Sequence, residues 1–77
     1  MEPMIAVYDK KTGLFDRPFT ARHIGEAIRE WDAVRKDINT KFGKNPEDFD
    51  LFQIADFNDR TGEIQIIQPH RHLASGV

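Results

Sequence analysis

This chain predicts an α+β fold: a single helix packed on a four-stranded, mostly antiparallel sheet, in the order β-β-α-β-β. Three observations carry that reading. Apolar residues recur at three- and four-residue spacing through one central stretch alone, namely Ile24, Ala27, Ile28, Trp31, Val34, Ile38 and Phe42. On either side of it, strand-like segments flank two copies of one turn motif, Tyr8-Asp9-Lys10-Lys11-Thr12-Gly13 and Phe57-Asn58-Asp59-Arg60-Thr61-Gly62. Before the last strands, Asn45-Pro46-Glu47-Asp48 ends one element and starts another. There Asn45 can cap, Pro46 fixes φ, and two carboxylates suit the positive start of a helical turn.

The first hairpin joins residues 4–8 to 14–15. An Asx side chain closes its own turn, and the glycine supplies a left-handed position. The helix follows, expected over residues 21–41. Thr20 is its expected N-cap, with a hydroxyl free to take an orphan amide. Phe19 and Ile24 then fall at the two positions of a hydrophobic staple. Gly43 is expected to close the other end. Gly25 inside the helix costs ~1 kcal/mol relative to alanine and reads as a place of close backbone approach. The second hairpin joins residues 51–57 to 63–68.

In this arrangement Ile5, Val7, Phe52, Ile54, Ile64 and Ile66 meet the helix stripe and form the core. Met4, Tyr8, Leu51, Phe57 and Ile67 fall on the opposite parity, too many large apolar groups for the open face of an antiparallel sheet. A homodimer with these five at its interface is the expected consequence. Residues 1–68 make the domain. Residues 69–77, which contain His70-Arg71-His72, show no periodicity and are expected to form a loosely ordered tail.

Composition narrows the function classes. Seventy-seven residues allow one core, and at that size a core rarely yields more than ~3–5 kcal/mol. The absence of cysteine removes disulfides and thiolate metal sites together and fits a reducing cytoplasm. No signal-peptide pattern and no apolar run of ~20 residues occurs, so a soluble, intracellular protein is expected, with no membrane partner. Thirteen acidic residues stand against 11 basic ones, which argues against a protein that coats nucleic acid and leaves room for a local basic patch.

Few residues suggest chemistry. The only serine, Ser75, has no base beside it, and no glycine-rich phosphate loop links a strand to a helix. A non-enzyme with no cofactor is expected. His70 and His72 could offer two ligands on one side of an extended chain. A zinc site needs three or four, and His23 lies far away in sequence, so no metal site is expected. Arg17, Arg22 and His23 crowd the start of the helix, where each cation is unfavourable by ~0.3–1 kcal/mol. A phosphate would reward them, with Lys10 and Lys11 extending the patch from the first hairpin tip. These five are the candidate nucleic-acid contacts.

Three motifs, Pro18-Phe19, Gly25-Glu26-Ala27-Ile28-Arg29 and the run from Phe42 through Asn45-Pro46-Glu47-Asp48-Phe49 to Leu51-Phe52 and Ile54, stand in a fixed order. In that order the chain resembles the small non-structural protein of gokushoviruses, single-stranded DNA bacteriophages of the microvirus group. Ile38 stands where that family often has proline. The resemblance implies a protein of the host bacterial cytoplasm, absent from the finished particle. It implies a role like the microvirus C-type protein, which shifts replication from duplex copying toward making and packaging single-stranded genomes. The expected partner is single-stranded DNA, bound weakly and with low specificity. The alternative is a regulator docking on the viral initiator, host replication proteins or the procapsid, without touching DNA.

Overall fold

The computed structural model describes residues 1–77. Strand β1 (Glu2–Asp9) and the two-residue β2 (Leu14–Phe15) form the first hairpin, and β3 (Phe19–Thr20) returns to pair with β1 as well. Helix α1 (Ile24–Val34) and the short α2 (Lys41–Lys44) follow. A 3-10 turn at Pro46–Asp48 then leads into β4 (Phe49–Phe57) and β5 (Ile64–Ser75). Every pairing is antiparallel, and the main path of the sheet runs β2-β1-β4-β5.

Both hairpin turns use the chemistry that their sequence indicated. The Asp9 carboxylate accepts from the amides of Lys11 and Thr12 at 2.9 and 3.3 Å, and the Asn58 side chain accepts from Arg60 and Thr61 at 3.0 and 3.4 Å. Gly13 and Gly62 close the two turns at φ of 73° and 79°, the left-handed region that glycine enters without a steric penalty.

The single helix of residues 21–41 is overturned, because the chain makes two helices with a polar turn between them. Short polar side chains there offer the backbone alternatives to the helix. The Thr40 hydroxyl donates to the Asp37 carbonyl at 2.8 Å and accepts from the Gly43 amide at 3.1 Å, so Thr40 caps α2. The Asp37 carboxylate accepts from the Asn39 amide. Ile38, counted in the apolar stripe, is 72% exposed as a result. Gly43 lies inside α2 and does not close α1; a Cβ there would overlap the Asp37 carbonyl. Thr20 is drawn into β3, and His23 caps α1, its Nδ1 accepting from the Glu26 amide at 3.2 Å.

Helix α1 lies against one side of the sheet. Ala27 and Trp31 are buried there with Ile5, Val7, Ala21, Phe49 and Leu51, and Ile28, Val34, Phe42, Leu73 and Ala74 pack around them. The Phe42 ring meets Trp31 at 5.4 Å and Phe49 at 5.0 Å, both edge to face. Pairing of Val7 with Leu51, and of Ala6 with Phe52, sets the parity of β4. Leu51 is therefore core, 1% exposed, and Phe52 belongs to the far side, the reverse of the expectation. Ile64 and Ile66 are 52% and 62% exposed and take no part in the core.

The expected tail is a structural strand. β5 continues to Ser75, and its end is clasped to the helix: the Trp31 indole donates to the Ser75 carbonyl at 3.1 Å, and the Arg35 guanidinium donates to the Gly76 carbonyl at 3.2 Å. The Gly76 amide donates to the Phe49 carbonyl, and a Cβ on Gly76 would overlap the Pro46 carbonyl. The close passage of the proline-centred turn thus leaves room only for glycine at position 76. Weak periodicity hid this segment, because a strand that shifts register shows no regular alternation; β4–β5 pairing slips between Leu51 and Phe52 and again between Gln53 and Ala55.

The homodimer also loses its motive. Of the five supposedly stranded residues, Leu51 is in the core and Tyr8 packs within an aromatic cluster of its own chain. Met4, Phe57 and Ile67 are each half-buried in the monomer.

Candidate functional site: a ring-lined sheet face

The face of the sheet opposite α1 has no covering layer of secondary structure, and rings converge on it from all four main strands. Strand alternation places Ala6, Tyr8, Asp50 and Phe52 there, and cross-strand pairing adds Phe15 opposite Tyr8 and His72 opposite Phe52. Tyr8 meets Phe15 at 4.8 Å and Phe52 at 6.1 Å, and Phe15 meets Phe52 at 6.0 Å. Two imidazoles extend the set: His70 lies 5.6 Å from Phe15, and His72 lies 5.3 Å from Phe52. Ala6 beneath them is fully buried, and its small size is what lets larger rings meet above it.

Phe15, 44% exposed, and His72 are the open rings, while Tyr8, Phe52 and His70 are partly buried between their neighbours. That combination, fixed edge-to-face geometry with open ring surface, separates a platform from a core. His70 is oriented by its own backbone. Its Nδ1 lies 2.8 Å from the Ile67 carbonyl, which can only accept, so the proton sits on that nitrogen in the neutral ring. One carboxylate organises the rim. Asp50 lies 3.7 Å from Lys10 through Oδ1 and 3.7 Å from His72 through Oδ2, and Oδ1 is buried without a hydrogen-bond donor.

The expected basic corner is divided by the fold. Lys10 pairs with Asp50 at the ring face, and Lys11 pairs with Asp48 at 3.8 Å. His23 is turned to its capping role. Arg17 lines a cleft on the helix side together with Trp31 and Phe42, while Arg22 stands exposed at the start of α1, its amide donating to Glu26. The rings that the fold assembles were visible only in part. Tyr8 reads as outward-facing from its parity, and the His70-x-His72 spacing places both imidazoles on one side of an extended chain. Phe15 and Phe52 were missed. The Asp9-to-Gly13 turn, which forces Tyr8 opposite Phe15, was the signal that could have found the first of them.

Two carboxyl groups elsewhere are shifted by their neighbours. Lys41 hydrogen-bonds Asp16 at 2.9 Å and, with the Arg17 amide, holds that carboxyl below the usual carboxylate range. Arg35 and Lys36 do the same for Asp32 on the exposed side of α1. No group of three or more metal-ligating side chains comes together, and no helix is long and apolar enough to cross a membrane.

Fold and site together define a small α+β protein whose antiparallel sheet is closed by helices on one side and presents an aromatic face on the other. The chain belongs to the Phage ORF5 protein family, whose profile matches residues 3–77. No curated protein and no solved structure matches it.

Proposed function

We propose that this phage protein binds single-stranded DNA on its ring-lined face and carries out no chemical step. The observation that carries the proposal is the convergence of Tyr8, Phe15, Phe52, His70 and His72 on one open sheet surface. Bases are flat and apolar on their faces, and stacking on aromatic side chains is worth ~1–3 kcal/mol per base without regard to sequence. Single strands can offer their bases to such a platform and duplexes cannot. Lys10 and Lys11 border the face and are the proposed phosphate contacts. Arg22, at the helix start, contributes less, and Arg17, turned to the cleft on the helix side, lies outside this contact. The slight net negative charge keeps the affinity low.

The likeness of its motifs to the small non-structural protein of gokushoviruses supplies the setting. The protein would act in the host bacterial cytoplasm, where replication turns from duplex copying to producing and packaging single-stranded genomes. A platform that holds nascent single strands fits that stage. The competing reading, a regulator that docks on the viral initiator, host replication proteins or procapsid, draws on the acidic balance of the chain.

Titration of the protein with a labelled oligothymidylate at several salt concentrations tests the proposal. Three phosphate contacts per chain should give a salt slope of about −2, at ~0.7 per phosphate neutralised. Phe52→Leu, which keeps apolar bulk and removes the ring, should weaken binding for every sequence. Lys36→Ala, whose lysine is paired with Asp32 on α1, should change nothing. No binding at about 50 mM salt, or binding indifferent to Phe52→Leu, favours the protein-docking reading.

A further inference from the structure

On the helix side of the sheet, away from the rings, the packing leaves a cleft of about 350 Å³. Trp31, Leu51, Ala27 and Val7 form its apolar lining, with Phe19, Val34 and Phe42 around them. Three charged residues complete it: Asp16, Arg17 and Glu30. Asp16 is already committed to Lys41 at 2.9 Å. Arg17 and Glu30 make no ion pair, and the side chain of neither makes a hydrogen bond within the chain.

An apolar hollow of this size, near the lower end of the range for ligand sites, holds one bulky side chain rather than a large molecule. Its two unpartnered charges have opposite sign. A purely anionic occupant would face Glu30, and a purely cationic one would face Arg17. A segment that carries one charge of each sign satisfies both. We propose that this cleft is a docking site for a partner protein segment that inserts one large apolar side chain, flanked by an acidic residue for Arg17 and a basic residue for Glu30. Anchor side chains filling a desolvated pocket inside a charged rim are the usual source of binding energy in small protein interfaces. The cleft and the ring face lie on opposite sides of the sheet, so a partner docked at one leaves the other open. The inference does not depend on DNA binding.

Trp31 is the only tryptophan of the chain and lines the cleft, so its fluorescence reports occupancy. The probes are capped tripeptides. Glu-Phe-Lys should change Trp31 emission saturably, with a dissociation constant of ~1 mM. Glu-Ala-Lys should bind at least about tenfold more weakly, because the anchor is missing. Arg17→Gln should abolish the advantage of Glu-Phe-Lys over Lys-Phe-Lys, and Glu30→Gln its advantage over Glu-Phe-Glu. Both replaced residues are exposed, so the variants should melt as the parent does. The proposal is overturned if Glu-Phe-Lys gives no saturable change up to about 10 mM, or if the alanine peptide binds equally well. It is also overturned if an oligothymidylate displaces the peptide, which would make the cleft part of a DNA site.

Discussion

The two faces of the sheet are built from the same strands and have opposite characters. On one side Ile5, Val7, Phe49 and Leu51 are closed over by Ala27 and Trp31, and all six are buried. On the other, Tyr8, Phe15 and Phe52 contact one another with no helix above them, and none of the three is buried. Alternation along β4 deals its residues to the two faces in turn, so one strand supplies Leu51 to the core and Phe52 to the platform. The difference teaches that the apolar content of a sheet face does not reveal whether that face is core. What decides is whether another element can reach it. Here a chain of 77 residues provides helices for one side only. Stability should therefore reside on the helix side, and the proposed DNA contact on the ring side.

The sharpest test of that division is Trp31→Ala. The change removes a large buried ring and its indole bond to Ser75, and comparable substitutions cost ~3–5 kcal/mol. So small a domain has little more than that in total, and the variant should be molten or unfolded by circular dichroism at room temperature. A thermal midpoint close to that of the parent would show that the helix side is not where stability resides. Gly76→Ala should come next, at ~1–3 kcal/mol, because a methyl group has no room beside the Pro46 carbonyl. Urea denaturation would measure it; an unchanged midpoint would mean that the C-terminal clasp is loose.

The ring face should respond in the other sense. Phe52→Ala should lose ~1–3 kcal/mol of single-strand affinity, measured by fluorescence anisotropy, while remaining folded. If the same change unfolds the protein and leaves affinity intact in the folded fraction, the two faces have exchanged roles.

The smallest effect expected is that of pH on Asp16. Lys41 and the Arg17 amide lower its pKa in the folded chain, so the carboxylate contributes stability above its ordinary range near 3.8. That contribution is lost as pH falls through the lowered folded value. With its side chain 40% exposed, the gain is screened and slight. Asp16→Asn should flatten the acid limb of the stability profile below about pH 4 and leave neutral stability almost unchanged. A large loss at neutral pH would mean that Asp16 holds the β2–β3 loop in place by more than its charge.

How much of this could be read from residues alone follows from the range of the interactions. The two turns could be read because their chemistry is local: Asp9 and Asn58 bond amides two and three residues on, and Gly13 and Gly62 supply the conformation. The presence of α1 and the central place of Trp31 could be read from periodicity. The helix break could not, because the stripe continues through Ile38 while the competing bonds of Asp37 and Thr40 are invisible to it. The division of the basic residues was equally hidden, since Asp48 and Asp50 reach Lys11 and Lys10 only after β4 has paired with β1.

The sequence by itself determined the α+β class, both hairpins, the helix that carries Trp31 and the turn at Pro46, since each rests on contacts a few residues apart. Only the tertiary structure decided which residues of β4 face the helix, that the last residues form a clasped strand, and that rings from four strands share one surface. Parity and register depend on pairings between strands distant in the chain, and one shifted residue exchanges the two faces. Val7 opposite Leu51 and Ala6 opposite Phe52 are the pairs that settled it.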